Sequence, residues 1–196
     1  VTPLNRATSV VFRYRGDRPT APLPPGYEKV ILDHTSVRDL FGRPTGDDWR
    51  ARVYPRLLSG GSRGIAAVDP QGLWAAVQWI APPGADGPTH LPRRLIRPHF
   101  WCFNEHTREG HRRLGLWRAL KSSGFALARD LSGADVTLYS DTETENLPSR
   151  RAHEAFGFTH EGVMSTLTLR YARGRRLVFG GWDREAPHPE RSTTAP

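Results

Sequence analysis

Five residues between an apolar stretch and an amphipathic one, Arg108, Gly110, Arg112, Arg113 and Gly115, have the types and placement of an anion site. Phe100 to Phe103, with Trp101 and Cys102 between them, have the content of a short strand, whereas Leu116, Leu120, Ser123 and Leu127 recur at helical spacing. The turn between them, including Glu105, His106, His111 and Leu114, is therefore a strand-to-helix loop. The first amides of a helix lack intrahelical acceptors and the peptide dipoles leave partial positive charge there, which stabilises phosphate oxygens. Glycine lets a ligand approach the backbone closely, and arginine offers forked donors of fixed charge. A solvated basic turn is the plain alternative for such a loop.

A second stretch, Asn146 to Phe158, NLPSRRAHEAFGF, reads as a short helix with Pro148 as its first residue and Gly157 at its C-terminal cap. Asn146, Ser149 or Arg150, and His153 recur three to four apart along one face, with Ala152, Ala155 and Phe156 on the apolar one. Together, the two segments resemble the GNAT superfamily of acyl-CoA-dependent acyltransferases. The loop pattern of that family, Arg or Gln, two residues, Gly, one residue, then Gly or Ala, falls here on Arg112, Gly115 and Trp117. The Asn followed by a helix ending in Gly-Phe falls on Asn146, Gly157 and Phe158. Trp117 replaces a small residue, and His153 stands where the family usually has Tyr.

The resemblance implies an α/β fold with a mixed, mostly antiparallel central sheet of about seven strands flanked by helices. Two strands, ending near Phe103 and Ser140, splay apart to admit acyl-CoA. Implied contacts to acetyl-CoA or another acyl-CoA are the strand Trp101, Cys102 and Phe103, the loop Arg108, Gly110, His111, Arg112, Arg113, Leu114 and Gly115, and then Leu116, Asn146 and Ser149. No metal is required. The implied reaction is direct attack of an acceptor amine on the thioester, which needs a neutral nucleophile, a polarised carbonyl and a proton for the leaving thiolate. His153 is the candidate donor of that proton, because an imidazole near pKa 6.5 is a stronger acid than the usual Tyr near 10 or a thiol near 8.5. Glu105 is the first candidate base and Asp141 the second. Helices near the start and the loop before the central strand supply acceptor specificity in the family, which points to Trp49, Tyr54 and the segment from Gly84 to Leu95, with Ser140 beside them.

The remaining elements must position these groups. Ser9 to Tyr14 reads as a strand in an extended edge segment over residues 1–25, and Tyr27 to Leu32 as the first core strand. Ser36 and Asp39 have capping-box spacing. A helix starting near Thr45 and Asp48 carries Trp49, Val53 and Leu57 on one side, with Pro55 expected to kink or end it. Ile65 to Val68 and Leu73 to Ile80 form a hairpin, and Ala81 to Arg97 reads as a mobile loop. Val136 to Ser140, Val163 to Tyr171 and Leu177 to Trp182 are the later strands, with a turn at ARGRR. Residues 1–183 are expected to form one domain and 184–196 a disordered tail.

Composition bounds the alternatives. At 196 residues, 37% hydrophobic and 24% charged, the chain fits one globular domain. Its single cysteine, Cys102, excludes an internal disulfide framework. With no run of ~20 apolar residues and no signal-peptide pattern, no membrane is implied and a cytoplasmic location is expected. The net charge of +8 is carried almost wholly by arginines spread along the chain, Lys29 and Lys121 being the only lysines. That spread argues against nucleic acid as the partner and leaves a small-molecule amine as the favoured acceptor. The alternatives are an amine carried on a polyanion or protein, such as an aminoacyl-tRNA, and a non-catalytic acyl-CoA-binding domain. By family analogy the Val163 to Trp182 hairpin could serve a homodimer.

Overall fold

The computed structural model describes residues 4–16, 21–42, 49–133, 135–171 and 175–189. In chain order the strands are β1 (Leu4–Tyr14), β2 (Glu28–Leu32), β3 (Arg63–Val68), β4 (Trp74–Ala81), β5 (Phe100–Thr107), β6 (Leu138–Glu143), β7 (Thr159–Tyr171) and β8 (Arg175–Asp183). The α-helices are α1 (His34–Phe41), α2 (Trp49–Ser59), α3 (Arg93–Ile96), α4 (Leu116–Ser132) and α5 (Leu147–Phe156), with one 3₁₀ turn at Glu109–His111. The described strands form a single eight-stranded sheet in the order β2-β3-β4-β5-β6-β1-β7-β8. Only β5 and β6 run parallel among these pairs; the others are antiparallel. The mixed, mostly antiparallel sheet agrees with expectation, with one strand more than the seven foreseen.

Alternation along each strand sorts the core into two layers. Val11, Val77, Trp79, Trp101, Phe103 and Tyr139 face α1, α2 and α3, where Val37, Phe41, Tyr54, Leu57 and Ile96 cover them. Val10, Phe12, Ile80, Cys102 and Leu138 face α4 and α5 and pack on Ala128 and Phe156. Leu116 and Leu120 seat the start of α4 on Ile65, Ala67, Ala75 and Ala76. Burying each such leucine stabilises the fold by about 1.5–3 kcal/mol, which fixes where the amino end of α4 sits.

Gly124 lets α4 approach the sheet. A Cβ built there would overlap the Gln78 amide and lie 3.0 Å from Ile80 Cδ1, while Gln78 Nε2 donates to the Leu120 carbonyl at 3.2 Å. Gly124→Ala is therefore expected to lower stability by about 1–3 kcal/mol. Urea unfolding checks this, and an unchanged midpoint would mean that Gln78 swings aside freely.

Several local expectations change. Leu4–Tyr14 is no edge: it lies between β6 and β7, pairing Val11 with Asp141 and Val10 with Val163. The cap of α1 is Asp33 with Ser36, three residues earlier than Ser36 with Asp39; Ser36 N donates to Asp33 Oδ1 at 2.7 Å and Asp33 N to Ser36 Oγ at 2.8 Å. Helix α2 runs through Pro55 to Ser59. Its expected start at Thr45 and Asp48 lies outside the described residues, as does most of the ARGRR turn. The segment before β5 is tied down: Asp86 N donates to the Gly60 carbonyl at 2.9 Å, Arg93 pairs with Asp86 at 2.9 Å, and Arg94 donates to the Gly180 carbonyl at 3.1 Å. Beyond β8, Arg184 pairs with Glu161 and His188 with Glu154, while residues 190–196 lie outside the description. Among the described residues no helix is long and apolar enough to cross a membrane.

Candidate functional site

The site begins where two strands part. β5 and β6 pair at Phe100 with Leu138, Trp101 with Tyr139 and Cys102 with Ser140, and no further, although β5 continues to Thr107 and β6 to Glu143. On its other edge β5 keeps β4, but the register slips: Trp79 pairs with Phe103 and Val77 with His106, leaving Asn104 and Glu105 opposite Gln78. Asn104 takes φ 49°, a left-handed conformation that asparagine tolerates. Such a bulge bends its strand and re-aims a side chain. Here β5 turns from β6, which stays on β1, and Glu105 is directed at α4.

Glu105 is nearly enclosed. Trp117 Nε1 donates to its Oε2 at 2.6 Å, and the Lys121 ammonium pairs with its Oε1. Trp117 and Lys121 stand one turn apart on α4, so both reach the same carboxylate. Lys121 is wholly buried, with its ammonium 5.2 Å from the Trp117 ring centre and 4.9 Å from that of Phe158. Burial, the largest single influence, pushes the Glu105 carboxyl up, but the charge and hydrogen bond of Lys121 and the other groups around it together outweigh it and hold the pKa at about 2. For Lys121 burial disfavours the charged form, and the net shift is nevertheless upward. The partner charge is that of Glu105, because burial drives the Cys102 thiol well up and leaves it neutral.

Ser140 and His153 complete the cluster. The Ser140 hydroxyl lies 3.1 Å from His153 Nε2, 3.4 Å from Lys121 Nζ, 3.4 Å from Glu105 Oε1 and 3.3 Å from the Cys102 carbonyl. His153 Nδ1 lies 2.8 Å from the Ser149 carbonyl, which only accepts, so Nδ1 carries the hydrogen and Nε2 accepts from Ser140. The ring stacks on Phe12 at 5.0 Å and meets Trp117 and Phe158 edge-on at 5.1 Å each. Burial first and the Lys121 charge second lower its pKa to about 4. The imidazole is thus neutral near pH 7, unlike the partly protonated donor expected from an unperturbed histidine.

Part of the loop's backbone is already engaged, His111 N donating to the Arg108 carbonyl at 2.9 Å and Arg112 N to the Glu109 carbonyl at 3.2 Å. Arg108 is fastened to β4, its N–H donating to the Ala75 carbonyl at 2.8 Å and its Nη1 to the Trp74 carbonyl at 3.2 Å. His111 is held between the Tyr27 hydroxyl, 2.8 Å from Nδ1, and Asp69, 3.6 Å from Nε2. Arg113 at φ 65° and Gly115 at φ 82° turn the chain into α4, and Gly115 provides no side-chain cap for the first amides. A Cβ on Gly110 or Gly115 would meet nothing within 4 Å. Arg112, Arg113 and Leu114 are exposed. The Trp117 indole points away from this loop, meeting His153 and Phe156 of α5.

The structure therefore brings together Cys102 on β5, Glu105 on its bulge, Ser140 on β6 and His153 on α5, while the Trp101 and Phe103 side chains turn to the other layer. It separates the two candidate carboxylates. Asp141 points to the opposite face, where Trp101 Nε1 donates to Oδ1 at 3.3 Å and His90 Nε2 to Oδ2 at 2.8 Å. Asn146 caps α5, its Oδ1 accepting from Ser149 N at 3.2 Å, and Ser149 steers His153. Tyr54 is buried against Phe41 and Trp79, and Trp49, 41% exposed, packs on Tyr54. Sequence reasoning passed over Lys121 and did not single out His90. For Lys121 the available signal was a lone helical lysine four residues after Trp117 in a chain that otherwise uses arginine. Among the described residues, no three His, Cys, Asp or Glu side chains group closely enough to hold a metal ion.

The sequence matches no family model and no curated protein. Solved structures do match. A Drosophila protein superposes with TM-score 0.59 at 15% identity, over 86% of this chain and 52% of that one. A tandem GNAT protein from the clavulanic acid biosynthesis pathway gives 0.57 at 14% identity, over 79% and 50%. A putative acetyltransferase from the GNAT family of Novosphingobium aromaticivorans gives 0.55 at 18%, over 86% and 66%. The chain thus spans about half to two thirds of the length of these structures. The parted parallel strands, the Gly115-led helix and these superpositions together identify the fold of this chain as that of the GNAT superfamily.

Proposed function

We propose that the chain is an acyl-CoA-dependent N-acyltransferase, most simply an acetyltransferase, acting on a small-molecule amine. The observation that carries this reading is the parting of β5 and β6 beside the uncapped amino end of α4. Loop amides from Arg113 to Gly115, with the Arg112 and Arg113 side chains, hold the pyrophosphate of the thioester substrate, and the free edge of β5 takes its extended arm. The acyl thioester is the electrophile that an amine attacks. Ser140 faces the gap with its hydroxyl, and Lys121 sets a positive charge beside it where a thiolate develops. Glu105, already engaged by Lys121 and Trp117 and held near pKa 2, fixes that ammonium rather than taking a proton. His153 orients the Ser140 hydroxyl as an acceptor.

Calorimetric titration with acetyl-CoA tests the reading. Micromolar binding is expected in the wild type, weakened about tenfold or more in Arg112→Ala and Arg113→Gly, the loss of one charge-assisted hydrogen bond each. Glycine is chosen at 113 because the left-handed backbone there suits it. Thiol release with a panel of alkyl, benzyl and aminosugar amines then reports transfer. No binding of acetyl-CoA, longer acyl-CoAs or free CoA would overturn the proposal. A second reading, an acyl-CoA-binding domain without turnover, is favoured by one feature: Trp117 spans from α4 to His153 and Phe156 of α5. It predicts binding without thiol release.

A further inference from the structure

The acyltransfer reading leaves the proton on the attacking nitrogen without an acceptor, since Glu105 is held by two donors and His153 is enclosed. A second titratable pair stands on the other side of the sheet. Asp141 is the first β6 residue beyond the last pair with β5, so it sits where the two strands part, and its carboxyl is 5% exposed. Trp101 Nε1 and His90 Nε2 take one oxygen each. The ion-paired imidazole of His90 is 56% exposed.

We propose that His90 is the general base that takes the proton from the acceptor nitrogen, with Asp141 the positioning residue that orients it; this rests on the acyltransfer reading above. Because Nε2 points at a carboxylate, it carries the hydrogen, and Nδ1 is the basic nitrogen. Both groups are preorganised. Asp141 is set by β1 through Val11 and by the Trp101 indole, and His90 lies in the segment fastened by Asp86, Arg93 and Arg94 and anchored by buried Leu91. The charges of Glu143 and Arg176, the latter bonded to neighbouring Thr89, also act on the imidazole and oppose one another. Burial disfavours the imidazolium, but the hydrogen bond and charge of Asp141 prevail and raise its pKa, which makes Nδ1 a stronger base than a free histidine.

The step balances as follows. The neutral amine's lone pair attacks the thioester carbonyl carbon and the C–N bond forms. The nitrogen of the adduct loses its proton to His90 Nδ1, the C–S bond breaks with its electron pair going to sulfur, and the thiolate takes a proton from water. The imidazolium returns its proton to water. Amine and acyl-CoA thus give amide and CoA thiol. The base then works on the face of α1 to α3 and the departing sulfur on that of α4 and α5, one on each side of the gap.

Two measurements test this. Histidine ring NMR titration of the unliganded chain, with His90 assigned from His90→Gln, is expected to show its pKa falling by about one unit or more in Asp141→Asn. Thiol release with acetyl-CoA and the fastest amine of the panel should fall about 100-fold in His90→Gln with acetyl-CoA affinity unchanged. The part of the acid limb of kcat/KM beyond that set by ionisation of the amine itself should vanish in that variant and move to lower pH in Asp141→Asn. Wild-type transfer with an unaltered rate and acid limb in His90→Gln would overturn the assignment of His90 alone. Acetyl-CoA binding with no transfer to any amine by the wild type would overturn the acyltransfer reading and this one with it.

Discussion

Lys121→Met destabilises the fold by about 3–5 kcal/mol, a loss of roughly 10 °C in melting temperature. Methionine matches the lysine stem in length and fills the same apolar channel between Trp117 and Phe158, so little packing is lost. What is lost is the counter-charge of Glu105, whose side chain is only 13% exposed. The Trp117 N–H remains, but one neutral donor does not offset a buried carboxylate. The sign of the pH dependence identifies the cause. In the wild type, Glu105 titrates near 2, below its unfolded value of about 4.3. Its contribution is present above 4.3 and lost as pH falls through 2. In Lys121→Met the burial remains without the ammonium, so the folded pKa rises above the unfolded one and the variant gains relative stability on acidification. Adding Glu105→Gln to Lys121→Met removes the stranded charge and should restore most of the loss. Urea unfolding of the two single variants and the double at pH 7 and pH 5 decides it. A loss under about 1 kcal/mol in Lys121→Met would mean that Glu105 reaches water there.

The parts of this architecture legible in the sequence are those set by neighbours in the chain. The β3–β4 hairpin, the loop from Arg108 to Gly115 and the helix bounded by Asn146, Pro148 and Gly157 each carry turn, cap or glycine chemistry within a dozen residues. β1 was not legible as an interior strand. Its partners, β6 and β7, lie more than a hundred residues on, and the Pro- and Gly-rich stretch after it reads as an edge. The unbroken Val10-Val11-Phe12 run, buried on both faces, was the available sign. At the site, Glu105, Ser140 and His153 were named but their electrostatics were not. Those follow from the bulge at Asn104, a backbone event that propensity does not show, and from the burial of Lys121 beneath Trp117. Neither the separation of Glu105 from Asp141 to opposite faces nor the pairing of Asp141 with His90 can be read without the register of β5 on β4.

The altered histidine makes the second large prediction one of acid sensitivity. His153 is 2% exposed, its Nδ1–H is committed to the Ser149 carbonyl, and its Nε2 accepts from Ser140 beside an ammonium. Protonating Nε2 would turn an acceptor into a donor facing Lys121, which burial and charge both oppose. The folded pKa of about 4 lies below the unfolded value near 6.5. Between these values the unfolded chain binds the extra proton, so stability rises with pH: the contribution is complete above about 6.5 and lost as pH falls through 4. The gap corresponds to about 3 kcal/mol, comparable to a third of the stability of many domains. His153→Gln keeps a side-chain oxygen that accepts from Ser140 but has no proton to gain. Chemical denaturation from pH 7.5 to 4.5 should therefore show the wild type losing about 2.5 kcal/mol more than His153→Gln, whatever the offset between them at pH 7.5. Parallel curves would mean that the imidazole is protonated in the fold, and with it that His153 could act as the acid its place on α5 first suggested.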